Sequence, residues 1–132
     1  MTAGMARIII DLDDTITRDG SAPGYADKLP NLPVVARLQE CRAAGFEIVI
    51  HSARNMRTFN GSIGKITAHT VPVIIDWLAR HDIPYDELVI GKPWCGEGGF
   101  YVDDKAIRPG EFVGLSLPEI YALVGAAPEA GL

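Results

Sequence analysis

Ile8-Ile9-Ile10-Asp11-Leu12-Asp13-Asp14-Thr15 sets a run of β-branched residues directly against three carboxylates. Three consecutive isoleucines without polar alternation predict a central strand, Arg7–Leu12, covered on both faces. Carboxylates crowded at the end of such a strand repel one another and are costly to desolvate without a cation. The alternation of an extended chain puts Asp11 and Asp13 on the same side, so both can address one reacting centre. A second apolar run, Phe46–His51, leads into Ser52-Ala53-Arg54, and a third, Glu87–Ile90, into Gly91-Lys92-Pro93. Phe100-Tyr101-Val102 delivers a second acidic pair, Asp103-Asp104, and Phe112–Leu115 reads as a fifth strand.

Three helices are predicted among these strands, and their starts share a pattern. Asn31-Leu32-Pro33, Thr70-Val71-Pro72 and Ser116-Leu117-Pro118 each place a capping side chain two residues ahead of a proline. The cap accepts orphan N–H groups, and proline in the first turn forfeits no helical bond. Gly45 suits the end of the helix Asn31–Ala44. The order β–α–β–α–β–β–β–α predicts an α/β domain with a mostly parallel five-stranded sheet. Ligands of such sheets sit beyond the carboxyl ends of the strands, where the polar residues above cluster.

The chain has 132 residues and a formal charge of −5, with 48% hydrophobic and 22% charged residues. That is an ordinary balance for one globular domain, residues 1–132, with a tail expected over 125–132. The acidic surplus argues against a nucleic-acid backbone as partner. No apolar run approaches the roughly 20 residues of a membrane span, and the first residues lack the regions of a signal peptide. Two cysteines, Cys41 and Cys95, are too few for a disulfide scaffold, so a cytoplasmic setting is expected.

Two acidic clusters, a hydroxyl and a lysine, each past a different strand, form a joint signal that none of them gives alone. The strand followed by Asp11-x-Asp13-x-Thr15 resembles the first motif of the haloacid dehalogenase (HAD) superfamily. Ser52, Lys92 and Asp103-Asp104 resemble its second, third and fourth motifs, in the right order. The stretches 53–58, 91–96 and 101–109 are similar to small HAD phosphatases associated with capsular polysaccharide biosynthesis. The resemblance implies a three-layer Rossmann-like core and a phosphatase that works through an aspartyl-phosphate. Asp11 would be the nucleophile and Asp13 the general acid and base, with Ser52 and Lys92 holding the phosphoryl oxygens. Mg²⁺ would be held by Asp11, Asp13, Asp103 and Asp104, an oxygen donor set that suits this ion. The position that usually carries glycine in the first motif is Asp14.

The stretches between motifs are too short for a folded lid, so no cap domain is expected. In such families an open site often means a large substrate or a neighbouring subunit that closes it; the substrate expected from the resemblance is a small phosphorylated metabolite, such as a sugar or polyol phosphate, with a homo-oligomer as the way the site would be closed. Arg54, Arg57 and Lys65, the last two in a long predicted loop over 55–69, are candidate grips on the substrate beyond its phosphate. Trp94 is a candidate stacking surface. The alternatives are a phosphoacceptor domain of the receiver type, or a HAD-like domain that binds without turnover. The receiver reading fails on placement, because its acceptor aspartate follows the third strand, and here Gly91-Lys92 stands there.

Overall fold

The computed structural model describes residues 6–18, 20 and 24–126. Its sheet has three strands, β1 (Arg7–Ile10), β2 (Glu47–Ser52) and β3 (Glu87–Ile90), in the order β1-β2-β3. Both pairings are parallel, Ile8 opposite Ile48 and Ser52 opposite Ile90. The helices are α1 (Leu32–Ala43), α2 (Ile63–His69), α3 (Val71–Arg80), α4 (Pro109–Gly114) and α5 (Leu117–Val124), with a 3₁₀ turn at Tyr25–Asp27.

Consecutive right-handed crossovers in an order of one, two, three place their helices on the same face. The core agrees. Ile10, Ile48 and Ile50 pack in one cluster with Val34, Leu38 and Cys41 of α1 and Ile74, Trp77 and Leu78 of α3. Ile9 and Val89 alternate to the opposite face and are 60% and 40% exposed. The expectation of a β1 covered on both faces is therefore not met, and no cap domain is present among the described residues. Of the tail expected over 125–132, residues 127–132 lie outside those described. Gly125 takes the left-handed conformation that ends α5 (φ +67°).

Two of the five predicted strands are absent. Phe112–Leu115 falls mostly in α4, because Pro109 opens a helical turn and Glu111 Oε1 accepts the Arg108 N–H at 2.8 Å. Phe100–Val102 has no regular secondary structure and pairs with no strand, with Phe100 78% and Val102 86% exposed, so β1 is an edge strand. The long loop predicted over 55–69 is shorter in fact. Ser62 Oγ accepts the Lys65 N–H (3.3 Å) and starts α2. Among the described residues, no helix is long and apolar enough to cross a membrane.

Candidate active site

Asp11, the first residue past β1, is half-buried. Its carboxylate accepts the Thr15 hydroxyl at 3.3 Å and lies 3.7 Å from Lys92 Nζ. Burial holds the Asp11 carboxyl above the usual carboxylate range, and the Lys92 ammonium opposes that rise. Lys92 is placed by its own backbone, whose N–H reaches the Ser52 carbonyl (3.2 Å) and extends the register of β2 and β3 by one step. Gly91 before it has φ +84°, and a Cβ there would press on Ile63 of α2. Lys92 Nζ also lies over the Tyr101 ring, 4.3 Å from its centroid, and Tyr101 donates its hydroxyl proton to the Pro93 carbonyl at 2.6 Å.

Asp13 meets a different environment. Arg54 forks onto it with Nε on Oδ2 (3.1 Å) and Nη2 on Oδ1 (2.8 Å), and Lys28 Nζ adds a third positive contact at 3.6 Å. The Arg54 side chain is only 1% exposed, stacks 4.2 Å from the Tyr25 ring, and leaves Nη1 without a partner. Arg54 is thus committed inward to Asp13 rather than extended toward bulk solvent. Ser52 is also buried; its Oγ accepts the Arg54 N–H at 3.0 Å and so turns the chain at the end of β2. His51, beside the site, is held below its ordinary value by burial and by Lys92.

The backbone conformation explains the motif's departure at Asp14. Its φ is +60°, a left-handed position that glycine takes freely and aspartate tolerates better than most residues. The Asp14 N–H donates to Thr17 Oγ1 at 2.8 Å, and its carboxylate lies 3.9 Å from Lys28. Lys28 and Tyr25 are contributions that no sequence signal marked. They arrive because Trp77 Nε1 and Arg80 Nη2 donate to the Lys28 and Ala26 carbonyls, both at 2.8 Å, tying this segment to α3.

The structure therefore brings together Asp11, Asp13, Ser52, Arg54 and Lys92. Of the remaining expected residues, Asp103 lines the same groove as Asp11, Thr15 and Lys92. Asp103 and Asp104 are exposed, and Asp103 Oδ1 accepts the Lys105 N–H at 2.9 Å. Arg57 is exposed and pairs loosely with Glu97 (3.7 Å). Lys65 lies exposed on α2, and Trp94 is 48% exposed. Among the described residues, no group of three or more carboxylate, imidazole or thiol side chains is close enough to hold a metal. The side chains expected for Mg²⁺ do not close into a binding cluster: Asp11 and Asp103 line one groove, but Asp103 Oδ1 is taken by the Lys105 N–H.

The crystal structure of an MCSG target from Vibrio cholerae is 50% identical to this chain, with a TM-score of 0.89, over 92% of this chain and 98% of that one. A Pnkp1/Rnl/Hen1 complex is 24% identical over 65% of this chain and 28% of that one, with a TM-score of 0.48. A Pnkp1/Rnl/Hen1 RNA repair complex is 17% identical over 92% and 32%, with a TM-score of 0.46. These two likenesses are too slight to bear on activity. No family model and no curated protein matches the chain. The chain belongs to the same family as the Vibrio cholerae protein.

Proposed function

We propose that this chain, with the kinship just described, is a phosphatase of the HAD type that hydrolyses the phosphomonoester of a small metabolite. The observation that carries the reading is the unequal treatment of two neighbouring carboxylates. Asp11 is desolvated and faces one lysine, whereas both Asp13 oxygens are engaged by cations. Paired carboxylates in contrasting environments mark a site where two such groups take different roles, and the order of the Asp-x-Asp motif, not the contrast itself, assigns the nucleophile to Asp11 and the acid to Asp13.

In this reading an Asp11 oxygen attacks phosphorus in line, the bond to the leaving alkoxide breaks, and the alkoxide takes a proton from Asp13. Water then attacks the same phosphorus, gives a proton back to Asp13, and displaces the Asp11 carboxylate as phosphate leaves. Lys92 offsets the charge on the phosphoryl oxygens, a positioning and electrostatic role. Both Asp13 oxygens are bound to Arg54 here, so the proton transfers need one of them to be released. Ser52 lends its hydroxyl only after a comparable adjustment, being 1% exposed. Mg²⁺ is the expected ion, but no step is assigned to it.

Sugar and polyol phosphates are the first substrates to try, in keeping with the resemblance to capsule-biosynthesis phosphatases, and two free thiols fit a cytoplasmic setting. That Asp103 and Asp104 form no metal-holding cluster with Asp11 among the described residues favours one competing reading, binding without turnover. Phosphate release from a panel of sugar phosphates, polyol phosphates, nucleotides and p-nitrophenyl phosphate, with Mg²⁺ and with EDTA, separates the two. Turnover that Asp11→Asn abolishes supports the phosphatase. Tight binding of phosphorylated compounds without any release supports the binding domain.

A further inference from the structure

A cleft of about 650 Å³ opens where the loop after β1 meets the start of α1 and the turn before α4. Its lining includes Asp14, Arg18, Asn31, Leu32, Arg108 and Pro109. Arg108 and Pro109 also line the groove that holds Asp11, Thr15 and Lys92, so the two hollows share a wall. Asp11 and Asp14 belong to one short loop, and their Cα atoms lie at most about 10 Å apart. One small metabolite and two long arginine side chains can bridge that gap.

The charge on this lining sets it apart from the rest of the chain. Six of the eight arginines, Arg7, Arg37, Arg42, Arg54, Arg57 and Arg80, pair with a carboxylate. The other two, Arg18 and Arg108, have no carboxylate partner among the described residues, and both line the cleft. Asp14 is the one carboxylate on that lining, and Lys28 faces it at 3.9 Å. The cleft therefore carries a positive surplus in a chain whose formal charge is −5. Guanidinium forks match the geometry of carboxylate and phosphate oxygens. The first turn of α1 adds a weaker positive end of its own.

We propose that this cleft is a second anion subsite, and that the substrate is a phosphomonoester carrying a further oxyanion, a carboxylate or a second phosphate. Arg18 and Arg108 hold that group while the phosphoryl group to be removed faces Asp11. A neutral polyol end would leave both guanidinium groups merely solvated, whereas an oxyanion gains charge-assisted hydrogen bonds from them. Arg57 and Lys65, expected to grip the substrate beyond its phosphate, line neither hollow, and Arg18 and Arg108 take that part. The substrate class rests on the phosphatase reading; the anion subsite rests on the cleft and its two unpaired arginines.

Three matched pairs of compounds test the proposal: sorbitol 6-phosphate with 6-phosphogluconate, glycerol 3-phosphate with 3-phosphoglycerate, and fructose 6-phosphate with fructose 1,6-bisphosphate. The first two pairs differ by a carboxylate and the third by a phosphate. Binding is measured by calorimetry on the whole chain in EDTA, and turnover by phosphate release with Mg²⁺, both at low salt. At least one doubly charged member should bind about tenfold more tightly than its partner and show a similar advantage in kcat/KM. The double variant Arg18→Gln/Arg108→Gln should shrink that preference to about twofold or less, and its far-UV circular dichroism should match wild type. No preference within any pair in either measurement, or a preference that the double variant keeps, overturns the subsite. Turnover without such a preference overturns the subsite and leaves the phosphatase standing. A binding preference that the variant removes, with no turnover of any compound, overturns the phosphatase reading and leaves the subsite in a binding domain.

Discussion

Two acidic pairs of nearly the same composition end up in opposite circumstances. Asp11 and Asp13 close a strand with paired neighbours and are held by Lys92, Arg54, Lys28 and Thr15. Asp103 and Asp104 follow a strand-like segment with no neighbour and lie in solvent. Strand-forming character in the residues ahead does not separate them, because Phe100-Tyr101-Val102, like Ile8-Ile9-Ile10, is a run of β-branched and aromatic residues. What separates them is whether a partner strand exists to fix the backbone and so aim the carboxylates.

The sharpest way to break this contrast is Asp11→Asn. Turnover should fall by ~10³-fold or more, read as kcat on the best substrate of the panel. The same variant tests the environment of Asp11. A carboxyl whose folded value is raised binds its proton more readily folded than unfolded, so its contribution to stability falls as pH rises from the ordinary carboxylate value through the raised one. In EDTA, Asp11→Asn should therefore melt higher than wild type at neutral pH, and the gap should close as pH is lowered through that window. An equal gap at all pH values would show that burial does not strain Asp11.

Next in size is Arg54→Met, which strips the cation from Asp13. The cost should be about 2 kcal/mol in urea unfolding, less than for a fully buried pair because Asp13 keeps Lys28 and some solvent access. Trp77→Phe removes the donor to the Lys28 carbonyl and should cost ~1 kcal/mol. It should also weaken the placement of Lys28, seen as a rise in KM larger than any fall in kcat. On the other side of the comparison, Asp104→Asn should change monomer stability by less than ~0.5 kcal/mol, as expected for an exposed carboxylate. Asp14→Gly should be the mildest, stabilising by about 0.5 kcal/mol through relief of the left-handed backbone, or less if the loss of the Lys28 contact offsets it.

Much of the body was legible because its signals are local and redundant. The β-branched run before Asp11 yields a strand, and Asn31 and Ser116 cap their helices by accepting the Val34 and Glu119 N–H groups. Thr70 was legible for the wrong reason: a helix does start there, but its hydroxyl donates to Asn55 Oδ1 (2.7 Å) instead of capping. The convergence of Asp11, Asp13, Ser52 and Lys92 follows from parallel strands ending on one side. The role of Arg54 did not follow, since nothing local says whether a guanidinium turns inward. Phe112–Leu115 misled because three apolar residues and a glycine fit helix or strand equally, and Pro109 with Glu111 tips the balance. Phe100–Val102 misled for another reason: a strand is defined by a neighbour, and its neighbour is not adjacent in the sequence.

The two tryptophans divide along the same line. Trp77 is 1% exposed in the body, its ring tilted 50° against that of His81 with centroids 4.7 Å apart, and Trp94 is 48% exposed just past Lys92. The chain is thus born with two optical labels. Emission from Trp77 should be blue-shifted and shielded from an aqueous quencher such as acrylamide, while Trp94 should emit to the red and be quenched readily. The quenchable fraction then follows the surroundings of Lys92 and the shielded fraction follows the body, so ligand and denaturant can be titrated against each in one cuvette without a dye.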